Sequence, residues 1–378
     1  MGLYLTKEQE RILDGEKGEG LAKCYRLLVR LGDAFGAKRL IPVKSVHLSG
    51  ISYKSIGNPG LEFLEDLSRE VRFRVETTTN PCGMDLRKWR EVGIKREFAS
   101  NQLRILRALR RMGARMTLSC TPYYLHQPSP GEHLAWAESS AVCYANSVLG
   151  ARTNREGAPS ALASAVTGVT PEFGLHLPEN RLPQKVIEVE AEMKSISDYG
   201  ALGYLAGEML GEEIPYFKGL KAGLDELKAL GSALASSGAV SMFHVEGLTP
   251  ESRRCKVQGL EKIQIDGREL GKVYEKLGGG EEPEAVFLGC PHFSTRELQT
   301  VSGRLEKVRL ETFICVARGL PSRELLRKVE RKGVKVLHDT CLVVSPLAEE
   351  YRCLAVDSAK AASYLRGRAV LRRREEIL

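Results

Sequence analysis

An alternation that runs the length of the chain most constrains its fold. A short apolar run reads as a strand, a polar or glycine-containing stop ends it, and helical periodicity follows. Residues 5–31 open helical, with Thr6 and Gln9 at capping-box spacing. Residues 39–48 read as a strand stopped by Ser49-Gly50, 60–71 as a helix, and 73–78 as a strand stopped by Thr79-Asn80-Pro81. Residues 96–112 form an amphipathic basic helix, 115–118 a strand stopped by Ser119-Cys120-Thr121-Pro122, and 132–149 one long helix of small and apolar residues. The stretch 150–184 is loop-rich, 186–214 helical, 220–237 a helix and 239–245 a strand. A polar segment leads to Gly278-Gly279-Gly280, which reads as a flexible linker. Beyond it lie a strand over 285–288 stopped by Gly289-Cys290-Pro291-His292, a capping box at Ser294 and Glu297, and a strand over 310–317. A helix over 322–332 and a strand over 334–337, stopped by Asp339-Thr340-Cys341, follow. The arginine-rich tail over 366–374 reads as a polar helix end.

Strands alternating with helices predict parallel sheets covered by helices, an α/β fold of several modules. At roughly 100–200 residues per domain, 378 residues make two to three. We expect a first α/β module over 1–150, a connecting α/β region over 151–280 and a C-terminal α/β module over 281–378.

Composition narrows the function classes. Hydrophobic residues at 43% and charged residues at 28% exclude a mainly disordered chain. No apolar run approaches the roughly 18 residues that span a bilayer, and the charged N-terminus does not read as an export signal. Nine cysteines are too sparse for a disulfide scaffold. A cytoplasmic chain with reduced thiols is the expectation, with neither membrane nor nucleic acid as partner. The net charge of +8 is modest and its basic residues are scattered. The basic helix near 96–115 and the arginine-rich tail keep an RNA-binding or scaffold role as the contrasting reading. The sequence holds no P-loop, no dinucleotide glycine fingerprint after the first strand and no nucleophile elbow.

In open parallel α/β sheets the ligand crevice lies beyond the carboxyl ends of the strands. Ser49, Asn80, Cys120, His244, Cys290 and Cys341 all fall at or just after such ends. Three thiols from three separate segments are thus able to converge, and soft thiolates suit iron–sulfur clusters, zinc or copper. No CxxC pair is present, so spacing alone leaves both metal ligation and three buried thiols open. Cys24, Cys143 and Cys315 sit inside helix or strand patterns and read as core, Cys82 is ambiguous, and Cys255 and Cys353 show no ligand pattern. The densest polar block runs from Glu132 and His133 through Glu138, Ser139, Ser140 and Asn146 to Arg152-Thr153-Asn154-Arg155-Glu156. Polar groups on an otherwise apolar helix need one another or a ligand. Arg152 and Arg155 follow the stop at Gly150 and suit an anion. His133, His244 and His292 stand at element ends as candidate proton donors.

Together, residues 119–123, 131–142 and 145–156 resemble the large subunit of aconitase X. Residues 44–53, 288–292 and 339–341 fit the same family, and the likeness covers nearly the whole chain. The resemblance implies an aconitase-like fold, with parallel α/β modules around a central iron–sulfur crevice. It implies a cluster on Cys120, Cys290 and Cys341, a [4Fe–4S] cluster with one open iron as first choice and [2Fe–2S] as second, since the CxxC pair of other aconitases is missing. It implies dehydration of a hydroxylated carboxylate, and a separate small swivel-domain subunit that brings a catalytic serine and forms a heterodimer. Two activities belong to the family: dehydration of 5-phosphomevalonate to trans-anhydromevalonate 5-phosphate, and dehydration of cis-3-hydroxyproline. The compact unfused chain and its many Arg and Lys residues favour the phosphorylated substrate. Asn80, Glu132, His133 and His292 are then the candidate acid–base groups, without assignment of base or acid. Ser49, Gly50, Ser139, Ser140, Asn146, Arg152, Thr153, Asn154, Arg155 and Glu156 are candidates for substrate binding, with Lys44 and Lys54 as point charges for a phosphate.

Overall fold

The computed structural model describes residues 3–306 and 308–378 and builds them on three parallel sheets. The first has the order β3-β2-β4, from β2 (Ser45–Leu48), β3 (Glu76–Thr79) and β4 (Leu134–Trp136). A short antiparallel pair, β1 (Leu40–Pro42) with β5 (Val169–Pro171), flanks it. The second has the order β8-β7-β6-β9, from β6 (Lys185–Val189), β7 (Pro215–Lys218), β8 (His244–Val245) and β9 (Glu261–Ile265). The third has the order β12-β11-β10-β13-β14, from β10 (Ala285–Phe293), β11 (Glu311–Val316), β12 (Val334–Leu337), β13 (Leu354–Val356) and β14 (Ala369–Leu371).

Strands such as β2 and β13 are buried at every position, as parallel strands with both faces covered must be. The helix Arg96–Met112 lays Ile105, Leu106, Leu109 and Met112 into the first module's core and ends on Gly113 at φ 106°. Helices Ile196–Leu210 and Leu224–Ser237 approach so closely that a Cβ on Gly203 would lie 2.3 Å from the Leu230 carbonyl oxygen. One core runs without a break from Phe217, Leu230 and Phe243 to Phe287, Phe313 and Leu354, so the second and third modules share it. Among the described residues no helix is long and apolar enough to cross a membrane.

The alternation holds, and the differences have local causes. The opening helical stretch is two helices, Lys7–Leu13 and Glu19–Ala34, parted by Gly15 and Gly18 at positive φ. Residues 39–48 divide into β1 and β2, and 115–118 form no strand, only a bridge from Thr78 to Arg115 before Leu118 turns to φ 47°. The long helix expected over 132–149 is instead β4 followed by the helix Ser139–Ser147, which Glu138 caps. Three apolar residues are too few to display a strand period. Residues 150–184 contain the helix Ala158–Thr167, and 186–214 begins with β6. The polar segment before Gly278 holds β9 and the helix Gly267–Gly278. Gly278 is packed rather than free: a Cβ there would sit 2.8 Å from the Leu371 carbonyl oxygen. The arginine tail carries β14, and Arg374 is buried with its guanidinium on Asp357 (2.6 Å) and Glu297 (3.1 Å). Both capping boxes form as expected.

Candidate active site

The carboxyl ends of the first and third sheets meet. The backbone of Cys82, just past β3, pairs with the loop past β12, its N–H donating to the Asp339 carbonyl at 2.8 Å. Ser52 donates to the Val344 carbonyl (2.7 Å), and Lys54 binds the Ser345 carbonyl (3.1 Å) and Glu349 (3.0 Å). Between these staples lie the three thiols. Each follows an unusual backbone turn: Leu118 at φ 47° precedes Cys120, Gly289 at φ 96° precedes Cys290, and Asp339 at φ 65° precedes Cys341. Non-glycine residues in the left-handed region carry strain that surrounding structure must hold, and such strain gathers at functional sites. Arg318 holds Asp339 through its carboxylate. Gly289 admits no side chain, because a Cβ would lie 2.4 Å from the Cys315 carbonyl oxygen. Cys290 sits where β10 loses register with β11, between Leu288 and Phe293, before a cis peptide to Pro291.

The thiols share one electrostatic neighbourhood. Burial pushes all three up, Cys290 to about 12, and Cys341 acts on both of the others. The His292 N–H donates to the Cys120 sulfur at 3.2 Å. Its ring is fully engaged: Nε2 meets only the Thr340 carbonyl (2.9 Å) and so carries the proton, leaving Nδ1 to accept from Ser119 (3.1 Å). Burial holds this imidazole neutral, at about 4. Among the described residues no three His, Cys, Asp or Glu side chains stand close enough to share a single metal ion. A multi-iron core spreads its thiolates more widely, and three soft donors, Cys120 and Cys341 buried and Cys290 partly so, are the chemistry such a core needs.

A second cluster of groups lies beside the thiols. Lys360, on the helix Ala359–Tyr364, crosses to Glu138 (2.5 Å) and Ser140 (3.2 Å) in the first module. Ser140 donates to Glu138 at 2.9 Å, and Asn80 presents its NH2 to the same carboxylate at 2.8 Å. The Asn80 carbonyl oxygen then faces His47 Nε2–H (3.4 Å), and His47 Nδ1 accepts from Thr78 (2.8 Å). Burial opposes the charge on Glu138, but Lys360, Ser140 and Asn80 outweigh it and hold the carboxyl at about 2. Burial likewise opposes the Lys360 charge, and Glu138 more than restores it. His47 is pushed down by burial to about 4.

The residues singled out by sequence divide among three places. Ser49, Gly50, Asn80, Ser139 and Ser140 lie at the carboxyl end of the first sheet, with the three thiols beyond it. Arg155 is exposed and has no ion-pair partner among the described residues, and Glu156 is buried at the end of β4, its N–H bonded to the Trp136 carbonyl. Lys44, Glu132, His133 and Arg152 lie at the opposite, amino end: Lys44 N–H donates to the His133 carbonyl, Arg152 N–H to the Glu132 carbonyl, and His133 pairs with His176. Asn146, Thr153 and Asn154 are interior pins. Asn146 binds Thr153, Ser241 and Arg181, and Asn154 binds Phe173 and Leu175. His244 is buried in β8, bonded to the Arg181 carbonyl. Lys54 serves the inter-module staple. Sequence reasoning passed over Lys360, whose one signal was a lone cation in the run Ser358-Ala359-Lys360-Ala361-Ala362. It also passed over His47 and Lys228, the latter a buried cation bound to Glu297 and the His292 carbonyl.

Sequence models of the aconitase X first, second and third domains match residues 2–179, 183–275 and 283–377 in turn. The chain belongs to the aconitase X family. The phosphomevalonate dehydratase large subunit of Methanosarcina mazei is 48% identical across 97% of this chain and 92% of its own length. That of Methanocaldococcus jannaschii is 46% identical across 96% and 95%. The cis-3-hydroxy-L-proline dehydratase of Pseudomonas aeruginosa is 35% identical, across 97% of this chain and 67% of its own length. The crystal structure of Thermococcus kodakaraensis aconitase X in its holo-form matches with a TM-score of 0.93 at 41% identity, covering 99% of this chain and 98% of that one. In this aconitase X fold the first domain supplies Cys120 and Glu138, and the third supplies Cys290, Cys341 and Lys360.

Proposed function

We propose that the chain is the large subunit of a phosphomevalonate dehydratase, a hydro-lyase that removes water from (R)-5-phosphomevalonate to give trans-anhydromevalonate 5-phosphate in isoprenoid synthesis. One observation carries the reading. Relatives named phosphomevalonate dehydratase large subunit match at 38–48% identity over at least 92% of their own length. Those named cis-3-hydroxy-L-proline dehydratase match at 34–35%, and this chain spans 65–67% of them. The name "large subunit" supports a small partner that closes over the crevice.

Cys120, Cys290 and Cys341 are the residues that would hold an iron–sulfur cluster. When bound, a [4Fe–4S] cluster with an open iron supplies a Lewis acid for the substrate's hydroxyl and a carboxylate oxygen. The chain's own groups bind and orient. Asn80 is fixed by Glu138 and His47 with its second N–H free of any protein acceptor among the described residues, a donor for developing negative charge. Arg155 is the free guanidinium for an anionic end of the substrate. His47, His292 and Glu138 are not ready bases: both histidines have both ring nitrogens engaged, and Lys360 keeps Glu138 ionised and weakly basic. That supports a base brought by the partner subunit. The test is anaerobic reconstitution with iron and sulfide, addition of the small subunit, and assay on both substrates. Turnover of 5-phosphomevalonate by the pair is expected. Turnover of cis-3-hydroxyproline instead assigns the other activity, and a chain that takes up no iron overturns the cluster reading.

A further inference from the structure

We propose that Lys360 and Glu138 are an opposed pair of positioning charges that sets the electrostatic potential at the three thiols, Lys360 raising it and Glu138 lowering it. The proposal rests on the reading that these cysteines hold an iron–sulfur cluster. Both groups are withdrawn from water: Lys360 is 5% exposed, and the Glu138 side chain 12%. They come from different modules and meet beside the crevice. Asn80, which binds Glu138 at 2.8 Å, follows Thr79, whose carbonyl accepts from the N–H of Ser119 next to Cys120 at 3.1 Å. Cys82, two residues on, donates to the Asp339 carbonyl just before Cys341, and Ser358 and Ala359, preceding Lys360, line one small cavity with Cys290. From that place a cation favours the charged thiolates and an anion opposes them, so the two charges act on the thiols with opposite sign.

A surface pair would nearly cancel and be screened. A buried pair is screened much less, so each of its charges is felt at a neighbouring site. Three thiolates outweigh the positive charge of a four-iron core, so the loaded site is a buried anion that favours a nearby cation. Glu138 adds to the negative charge, and its hydrogen bonds with Asn80 and Ser140 keep it ionised. The reduction potential of such a cluster follows net charge and hydrogen bonding around it. A staple that only joins the modules has no such sign: losing either partner would loosen the site in the same way.

The experiment uses the reconstituted complex with its small subunit. Iron per chain is measured first, then the cluster's midpoint potential, in wild type, Lys360→Met, Glu138→Gln, the double variant and Lys360→Arg. Lys360→Met should lower the potential and Glu138→Gln should raise it. Each shift should reach at least the ~59 mV that corresponds to a tenfold change in a one-electron equilibrium. The double variant should fall between them, and Lys360→Arg should stay near wild type. If Lys360→Met does not load iron, the rise in Glu138→Gln and the constancy of Lys360→Arg still decide. Shifts of the same sign, or below that size in both variants, overturn the proposal. A wild type without iron overturns the cluster reading beneath it, and that outcome is visible before any potential is measured.

Discussion

The two ends of β4 are separated by three residues and have opposite chemistry. At the amino end Lys44, Glu132, His133 and Arg152 stand around exposed turns, and His133 and His176 share one hydrogen bond between their Nδ1 atoms at 2.9 Å. Burial and then neighbouring cations push both rings down, His176 to about 3, so this pair stays neutral. At the carboxyl end a largely buried carboxylate and a buried ammonium are both charged, beside three thiols. The amino end contains histidine and glutamate, the residue types of acid–base catalysis, but it faces away from the strand ends where a parallel sheet opens its crevice. Residue type alone therefore does not locate the chemistry; the direction of the strand does.

The largest effect should come from the thiols. Replacing Cys120, Cys290 or Cys341 by Ala should abolish stable iron binding, measured as iron and sulfide per chain. Cys24→Ala and Cys143→Ala, which sit in helices Glu19–Ala34 and Ser139–Ser147, should keep iron and lose only stability. Full iron retention in any of the first three removes that residue from the ligand set.

Next comes the buried ion pair. Breaking such a pair from one side costs ~3–5 kcal/mol, so Lys360→Ala should show a markedly lower denaturation midpoint than His133→Ala at the other end. The pair also has a pH signature. The folded pKa of Glu138, about 2, lies below its ordinary 4.5. Its stabilisation is complete above the unfolded value and is lost as pH falls from about 4.5 toward 2. Glu138→Gln should lose that part of the acid limb in equilibrium unfolding, and an unchanged limb would show that the pair does not contribute.

A smaller effect separates the two arginines of the polar block. A charge-assisted hydrogen bond to an anion is worth about 1.5–3 kcal/mol, so Arg155→Ala should lower kcat/KM about ten- to a hundredfold with an unchanged cluster spectrum. Arg152→Ala, which loses a bond to the His176 carbonyl at 3.0 Å, should leave kcat/KM within about threefold. Equal losses in both would dissolve the distinction between the ends.

The sequence made β2, β3, β8, β10, β11 and β12 legible, with Asn80 and Cys341 just past strand ends, because the alternation and its polar stops are local signals; Cys120 follows a single bridge rather than a strand, and Cys290 lies within β10. It did not separate the ends of β4, because Leu134–Trp136 is too short to show a period and Glu138 caps the next helix without a break in polarity. Lys360 pairs with Glu138 across 222 positions. Such a contact leaves no spacing pattern, and a lone lysine among alanines carries no sign of burial. Asn146 was legible as a polar group on an apolar helix needing a partner and Asn154 only as a candidate for substrate binding; that both bind protein is decided only by the fold.

The smallest expected effect belongs to the other buried carboxyl at the carboxyl end of β4, Glu156, and it has the opposite sign to that of Glu138. Glu156 has only hydroxyl partners: Ser160 donates to one oxygen at 2.5 Å and Thr170 to the other at 3.1 Å. Burial outweighs both hydrogen bonds and raises its pKa. A raised carboxyl favours the fold while protonated. Its contribution is complete below the unfolded value near 4.5 and is lost as pH rises through the folded value. Glutamine keeps one acceptor, and Ser160 already has a second acceptor in the Gly157 carbonyl at 3.1 Å, so its hydroxyl is able to turn and accept from the new amide. Glu156→Gln should therefore match or exceed wild-type stability at pH 7–8, with the advantage shrinking toward pH 4. Thermal midpoints across that range measure it. A variant that is less stable at neutral pH and converges with wild type in acid would show that Glu156 works as an ion, as Glu138 does.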